Sequence, residues 1–194
     1  MDDIKAYGAT VSHNPMINMY LSSGVAPIPE LNRKDVPVGL GLDGAASNNS
    51  NDMIELLKAA ALLQKVTHRN PTIMTADKVL EMATIKGTKC LKMDKEIGSL
   101  EIGKKADLFV FNPQLDLKAI PTHNPVSTLV YSSGNKNIET VIIDGNFILE
   151  DSKLKVYNED KIAMECQRVA DEFSINAGTD YLKKRPWGFN EIEK

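Results

Sequence analysis

The stretch "VGLGLDGAASNNSND", residues 38–52, constrains the fold more than any other part of the chain. A glycine-spaced apolar strand runs into Asp43, then into small and polar residues, and then into an amphipathic segment. A second short β-branched run, "GATVSH", ends at His13. Short apolar strands that alternate with helices are typical of a parallel α/β fold. Functional groups in such folds gather at the carboxyl ends of the strands, so we expect His13 and Asp43 near a site.

Two helices are predicted after Asp43. The segment "NDMIELLKAAALLQKV" has apolar residues at helical spacing. Asn51 or Asp52 can cap its start, because a side-chain oxygen there accepts from free backbone N–H groups. The segment "TADKVLEMATIKGTKCL" is predicted as one helix that begins after Thr75 and ends near Gly87.

The pattern changes after these helices. The segments "GSLEIGKKADLFVF", "STLVYSSG" and "IETVIIDGNFILEDSKL" are predicted strands of a small β-domain. The string "IDGN" predicts a hairpin, because Asp-Gly tolerates the positive φ values of such turns. An amphipathic helix follows Asn158, and we expect Trp187 and Phe189 in the tail to dock on a neighbouring surface or another chain. The predicted parts are residues 1–93, 94–156 and 157–194.

Composition excludes several classes of function. Charged residues make up 25% of the 194 residues, the formal net charge is −3, and no basic stripe indicates a nucleic-acid partner. No apolar run reaches the roughly 18 residues of a membrane span, and "MDDIKAYG" lacks a signal-peptide core. Cys90 and Cys166 match no metal-binding spacing, which predicts free thiols in a reducing, cytoplasmic environment.

The position of Asp43 allows two interpretations. An aspartate at a strand end can bind a metal ion and accept a proton from the metal-bound water. Small residues at 44–46 leave space for a substrate, and Ser47 can donate a hydrogen bond into it. Alternatively, Asp43 starts an Asx turn or caps the following helix. Spacing alone favours this second interpretation.

Longer motifs favour the first. The segments "SHNPMINMYLSSGVAPIPEL" and "GLDGAASNNSNDM" resemble the last two barrel strands of the metal-dependent amidohydrolase superfamily. More narrowly, they resemble the methylthioadenosine/S-adenosylhomocysteine deaminase and chlorohydrolase group, with Leu42 in place of the usual Thr. The segments "GSLEIGKKADLFVF", "THNPVSTLVYSSG" and "IETVIIDGNFI" resemble later parts of the same group.

This resemblance implies a fold and a reaction. The expected fold is the carboxyl-terminal part of a (β/α)8 TIM barrel, its last two strands and helices, with part of a small β-sandwich and a terminal helix. The expected reaction is metal-dependent hydrolysis of a carbon–nitrogen bond, as in the deamination of an adenosine-type purine. The resemblance implies one divalent ion, usually zinc and sometimes iron. Guanine deaminases and triazine chlorohydrolases are the alternative relatives.

The resemblance also assigns roles to four residues. Asp43 matches the metal-ligand aspartate of the eighth strand, which is also the proton acceptor. Ser47 matches a position that lines the substrate pocket. His13 and Asn14 match the end of the seventh strand, near the substrate. For His13, a hydrogen-bonded structural imidazole is an equal alternative to substrate contact.

The rest of the metal site is not found in the sequence. The only histidines are His13, His68 and His123, and no His-x-His pair exists. His68 is expected at a helix end and His123 at a structural position. A catalytic zinc site needs about three protein ligands, so Asp43 cannot hold the ion alone.

We therefore expect a carboxyl-terminal half that is inactive and metal-free by itself. We expect this half to pair with a complementary amino-terminal half or with a second copy in a homo-oligomer. The alternative is a catalytically inert half-barrel that serves binding or assembly without metal.

Overall fold

The computed structural model describes residues 1–184 and divides the chain into two compact units, Met1–Lys153 and a second unit that begins at Leu154. The helices are α1 (Asp2–Ala6), α2 (Pro15–Tyr20), α3 (Ile28–Arg33), α4 (Ala45–Asn48), α5 (Met53–His68), α6 (Ala76–Ala83), α7 (Ile85–Cys90), α8 (Pro125–Ser132) and α9 (Glu159–Asn176). The strands are β1 (Val11–His13), β2 (Val38–Leu40), β3 (Leu108–Phe111), β4 (Ile138–Ile143), β5 (Asn146–Glu150) and β6 (Lys153–Leu154). The three-part division stays a prediction.

The first sheet has two parallel strands, as the alternation of strands and helices predicts. Strand β1 pairs with β2, and Val11 lies opposite Val38 at the first position of the ladder. Helices α5, α6 and α8 supply most of the core beside this sheet. Val38, Val79 and Met82 are fully buried in that core. The first unit is thus an α/β fold with one short parallel sheet.

The predicted helix caps are confirmed. Asp52 accepts from the backbone N–H groups of the next turn at 2.8 and 3.0 Å, and Thr75 accepts from Lys78 N–H at 3.4 Å. The single helix predicted after Thr75 is wrong, because the chain breaks at Thr84 into α6 and α7. Gly87 lies inside α7 and not at a helix end.

Close packing explains the position of Gly87. A Cβ built on Gly39 of β2 would lie 3.0 Å from the Gly87 Cα atom. Helix α7 therefore approaches the strand so closely that a side chain on Gly39 would press on the Gly87 backbone, while a Cβ on Gly87 would meet the Met82 carbonyl at 3.0 Å. The glycine marks a helix–strand contact and not a helix end.

The strand predicted for "STLVYSSG" is also wrong, because this segment forms helix α8. The Asn124 side chain accepts from Ser127 N–H at 2.9 Å, and Pro125 occupies the first turn. An asparagine cap followed by proline is a helix start that outweighs the β-branched residues behind it. Leu129 and Val130 then lie in the core.

The second sheet has the order β3-β4-β5-β6, and β4 pairs antiparallel with both β3 and β5. The predicted hairpin joins β4 and β5 through Asp144 and Gly145, whose φ values are 48° and 79°. Two consecutive positive φ values are typical of the hairpin turn that Asp-Gly favours. No residue of strands β3 to β5 is buried in this structure.

The second unit contains helix α9, which begins after Asn158 as predicted; the Asn158 side chain accepts from Lys161 N–H at 2.8 Å. Trp187 and Phe189 lie outside the described residues. Within residues 1–184, none of the helices combines the length and the apolar character needed to cross a bilayer. The cytoplasmic location stays a prediction.

Candidate functional site

The carboxyl edge of the β1–β2 sheet brings the predicted segments together. His13 pairs with Leu40 at the last position of the ladder, and Gly41 N–H donates to the His13 carbonyl at 3.0 Å. The segments that follow β1 and β2 therefore leave the sheet side by side. Asn14 begins the turn into α2, and the loop from Gly41 leads to Asp43 two residues later.

The Asn14 side chain lies directly against the Gly41 backbone. Ser12 Oγ–H donates to Asn14 Oδ1 at 2.9 Å. A Cβ on Gly41 would lie 2.7 Å from Ser12 Oγ and still closer to Asn14 Oδ1. Only a glycine allows this approach. The glycine spacing of this strand in the sequence indicates a close approach, although it does not indicate that the Asn14 side chain makes it.

Asp43 is exposed and has a φ of 62°, in the left-handed region. Its Oδ1 accepts from Gly44 N–H at 2.6 Å. An Asx turn would use the N–H two residues on, and Gly44 caps α4 without a side-chain hydrogen bond. The structure therefore shows neither the Asx turn nor the helix cap for Asp43.

Ser47 lies on the four-residue helix α4, and its side chain is exposed. Residues 44–46 between it and Asp43 are also exposed and small. This surface agrees with a pocket-lining position for Ser47, which stays a prediction.

Asn48 is a residue that sequence reasoning missed. Its side chain is fully buried, and its Nδ2 donates to the Leu42 carbonyl at 2.9 Å and to the Ser50 carbonyl at 3.1 Å. The run of polar residues at 47–52 gave no signal, because nothing in the sequence separates the buried asparagine from its exposed neighbour Asn49.

His13 is buried at 1% exposure, and within residues 1–184 neither of its ring nitrogens has a hydrogen-bond partner. Burial lowers the pKa of the His13 imidazole from 6.5 to about 4, so the ring is neutral at pH 7. No group in this part of the chain therefore acts as the partner of a structural imidazole, and the structural alternative stays a prediction. Contact of His13 with a substrate stays a prediction.

The other histidines lie away from this edge. His68 is the last residue of α5, as expected, and its Nδ1 lies 3.0 Å from the Gln64 carbonyl. His123 is exposed in the loop before α8. Cys90 Sγ lies 3.8 Å from the Val11 carbonyl, and Cys166 is exposed on α9.

A metal ion does not fit the described residues by themselves. Across residues 1–184, no three His, Cys, Asp or Glu side chains are grouped so that they could hold an ion. Asp43 supplies a single carboxylate, whereas a catalytic zinc site uses about three protein ligands. Any such site needs further ligands from outside the described residues.

Curated relatives of the chain are nucleoside deaminases. The chain is 42% identical over 170 residues to 5′-deoxyadenosine deaminase from Methanobrevibacter smithii, with 87% of this chain and 39% of that protein covered. It is 42% identical over 166 residues to 5-methylthioadenosine/S-adenosylhomocysteine deaminase from Desulforudis audaxviator, with 84% of this chain and 38% of that protein covered. The chain thus spans about two fifths of the length of these relatives.

Solved structures show the same relationship. An adenosine deaminase from Xanthomonas campestris with bound zinc matches with a TM-score of 0.82 at 32% identity, covering 87% of this chain and 38% of that one. The atrazine chlorohydrolase from Arthrobacter aurescens, complexed with zinc, matches with a TM-score of 0.76 at 26% identity, covering 83% of this chain and 36% of that one.

The sequence model of the amidohydrolase family matches residues 1–148, more than half of the chain. The match includes both strands of the parallel sheet and the loop that carries Asp43. The predicted resemblance is confirmed, and the chain belongs to the amidohydrolase family.

Proposed function

We propose that the complete protein is a metal-dependent hydrolase that deaminates an adenosine-type purine nucleoside. One observation carries the proposal. Asp43 stands exposed in a left-handed turn at the carboxyl edge of the parallel sheet, in a chain 42% identical to 5′-deoxyadenosine deaminase. The chain covers 39% of that relative, so it supplies one part of the enzyme.

In this proposal, β1 and β2 are the last two strands of a (β/α)8 barrel and β3 to β6 belong to a small β-sandwich. The parallel pairing of β1 with β2 supports the barrel assignment. The TM-score of 0.82 over 87% of the chain supports it as well.

Hydrolytic deamination replaces an amino group with oxygen from water and releases ammonia. The attacking water loses a proton, and the leaving amino group gains one. Asp43 is the proposed proton acceptor and metal ligand, because its carboxylate is exposed at the sheet edge. A divalent ion, zinc or alternatively iron, would lower the pKa of the water. The remaining ligands come from outside the described residues.

Three further residues are proposed to bind the substrate. The neutral His13 ring has two unpaired nitrogens, one a donor and one an acceptor. Ser47 presents an exposed hydroxyl, and Asn14 presents an amide beside Gly41. Such groups match the ring nitrogens and amino group of a purine.

The remainder of the enzyme is the proposed partner of this chain. Leu100, Ile102 and Leu117 are each more than three quarters exposed, and no residue of β3 to β5 is buried. Apolar side chains as exposed as these are candidates for an interface with the remainder of the enzyme. The complementary portion of the enzyme, in the same or another polypeptide, would cover it, and a second copy of the chain is the alternative occupant.

A deaminase is favoured over a triazine chlorohydrolase by the degree of similarity. Among the solved structures, identity is 32% to the adenosine deaminase and 26% to the atrazine chlorohydrolase. The other alternative, an inert binding or assembly module, is an outcome of the experiment that follows.

The test substitutes Asp43→Asn in the chain combined with the portion of the Methanobrevibacter smithii deaminase that it does not match. Ammonia release from 5′-deoxyadenosine should fall by at least about 10²-fold, because a positioned base contributes about that much. Asp35→Asn is the matched control, since Asp35 is also exposed with a positive φ of 55° but precedes β2.

Equal activity of the Asp43→Asn and Asp35→Asn assemblies would contradict the role of Asp43. An assembly that forms but releases no ammonia from any purine nucleoside would favour the inert module.

A further inference from the structure

The backbone at Asp43 needs support from outside its own turn. A φ of 62° is uncommon for any residue other than glycine, although aspartate tolerates it better than most. Strained conformations of this kind persist only where the surroundings hold them in place. The hydrogen bond from Gly44 N–H to Asp43 Oδ1 is local and exposed, so it does not tie the turn to the rest of the fold.

The buried side chain of Asn48 makes that tie. It donates to the Leu42 carbonyl, directly before Asp43, at 2.9 Å. It also donates to the Ser50 carbonyl at 3.1 Å, on the other side of α4. One Nδ2 atom carries two hydrogens, and these two carbonyls use both of them. The side chain thus bridges the two ends of the 42–50 loop.

The bridge leads to a rigid element. Ser50 Oγ accepts from Asp52 N–H at 3.1 Å, and the Asp52 side chain caps α5. Helix α5 is anchored in the core by Leu57 and Ala61, which are 2% and 0% exposed. A continuous set of hydrogen bonds therefore connects the turn at Asp43 to the buried helix α5.

We propose that Asn48 is a positioning residue, whose bridge between Leu42 and Ser50 holds Asp43 in its left-handed turn and thereby aims the carboxylate. The catalytic consequence rests on the proposed function, whereas the effect on the backbone does not. An aspartate at this position has nearly the same shape as Asn48. When ionised, it has no hydrogen to donate to the Leu42 and Ser50 carbonyls.

The experiment is NMR of the full 194-residue chain carrying Asn48→Asp. A positive φ gives a strong NOE between the amide and Hα protons of the same residue. This NOE at Asp43 should be lost, while the one at Asp35, also at positive φ, should remain. The control Asn49→Asp adds the same charge at an exposed neighbour and should leave the Asp43 signal intact. An unchanged Asp43 NOE in Asn48→Asp overturns the proposal.

A second measurement covers the case in which Asn48→Asp does not fold. In the unsubstituted chain, the side-chain amide protons of Asn48 should exchange with solvent more slowly than those of exposed Asn49. Equal exchange rates overturn the bridge.

The activity arm uses the same reconstituted assembly as above. Asn48→Asp should lower kcat by about 10²-fold, because a displacement of about 1 Å can have that effect. KM should not change, because Asn48 is buried beneath the loop and does not touch substrate. If the unsubstituted assembly is inactive, the proposed function fails, and the NMR result still decides the role of Asn48. A fall in kcat/KM that comes from KM alone counts against positioning.

Discussion

At the scale of single residues, burial decides the charge of His13. Desolvation penalises the imidazolium, and no described residue is hydrogen-bonded to either ring nitrogen to offset the penalty. The folded pKa of about 4 lies below the ordinary value of 6.5. Between these values the unfolded chain binds a proton that the folded chain excludes. The burial of His13 therefore does not lower the free energy of unfolding above pH 6.5. It lowers this free energy progressively as the pH falls from 6.5 towards 4.

The prediction for His13→Leu follows from this linkage. A pKa shift from 6.5 to about 4 corresponds to about 3 kcal/mol. The original chain should lose up to that amount of its free energy of unfolding between pH 6.5 and pH 4, and His13→Leu should not show this loss. At pH 7 the variant should stay within about 1 kcal/mol of the original chain, because no hydrogen-bond partner is orphaned. Urea denaturation at stepped pH measures both effects.

His123→Leu is the control, since His123 is exposed and should leave the acid dependence unchanged. A large loss of stability at pH 7 in His13→Leu would show that the imidazole has a partner after all.

At the scale of elements, the sequence predicted those features that local chemistry determines. The caps by Asp52 and Thr75 and the Asp-Gly hairpin depend on neighbouring residues and are confirmed. The errors at α7 and α8 have one cause each. Gly87 reflects packing on Gly39, a contact between distant segments. The segment of α8 was predicted as a strand, although Asn124 and Pro125 carried the local helix signal.

The contact of Gly41 with Asn14 gives a prediction at this scale. Gly41→Ala places a methyl group against Ser12 Oγ and Asn14 Oδ1, so it should break their hydrogen bond. Both atoms are the ends of side chains that can rotate away, so we expect a loss of about 0.5–1.5 kcal/mol in the free energy of unfolding, the contribution of one hydrogen bond. Thermal or urea denaturation measures it.

The matched control is Gly134→Ala, because Gly134 has open space around its Cβ position and a φ of −152°. If both alanine variants were equally stable, the close approach at Gly41 would not constrain the site.

The candidate site was partly predictable from the sequence. Asp43, Ser47, His13 and Asn14 came from motifs, and the structure places all four in the segments that leave the carboxyl edge of β1 and β2. Their roles stay predictions. The supporting contacts of Asn48 and Gly41 were not predicted, because burial and close approach depend on the folded loop and not on residue type.

At the scale of the whole molecule, the chain has a buried α/β core and an antiparallel sheet whose strands β3 to β5 are only half-buried or exposed. The core lies beside β2, whereas β3 to β5 contain no buried residue. The chain also spans about two fifths of the curated relatives. Both facts support the proposed division of the metal site, in which this chain would contribute Asp43 and the remainder of the enzyme the other ligands.

The zinc content of the purified protein tests this division most directly. The chain alone should bind far less than one zinc per molecule, because a single carboxylate does not make a zinc site. The assembly with the unmatched portion of the Methanobrevibacter smithii deaminase should bind about one zinc, and Asp43→Asn should reduce that content. Elemental analysis after dialysis measures all three. Near-stoichiometric zinc in the chain alone, lost on Asp43→Asn, would contradict the account.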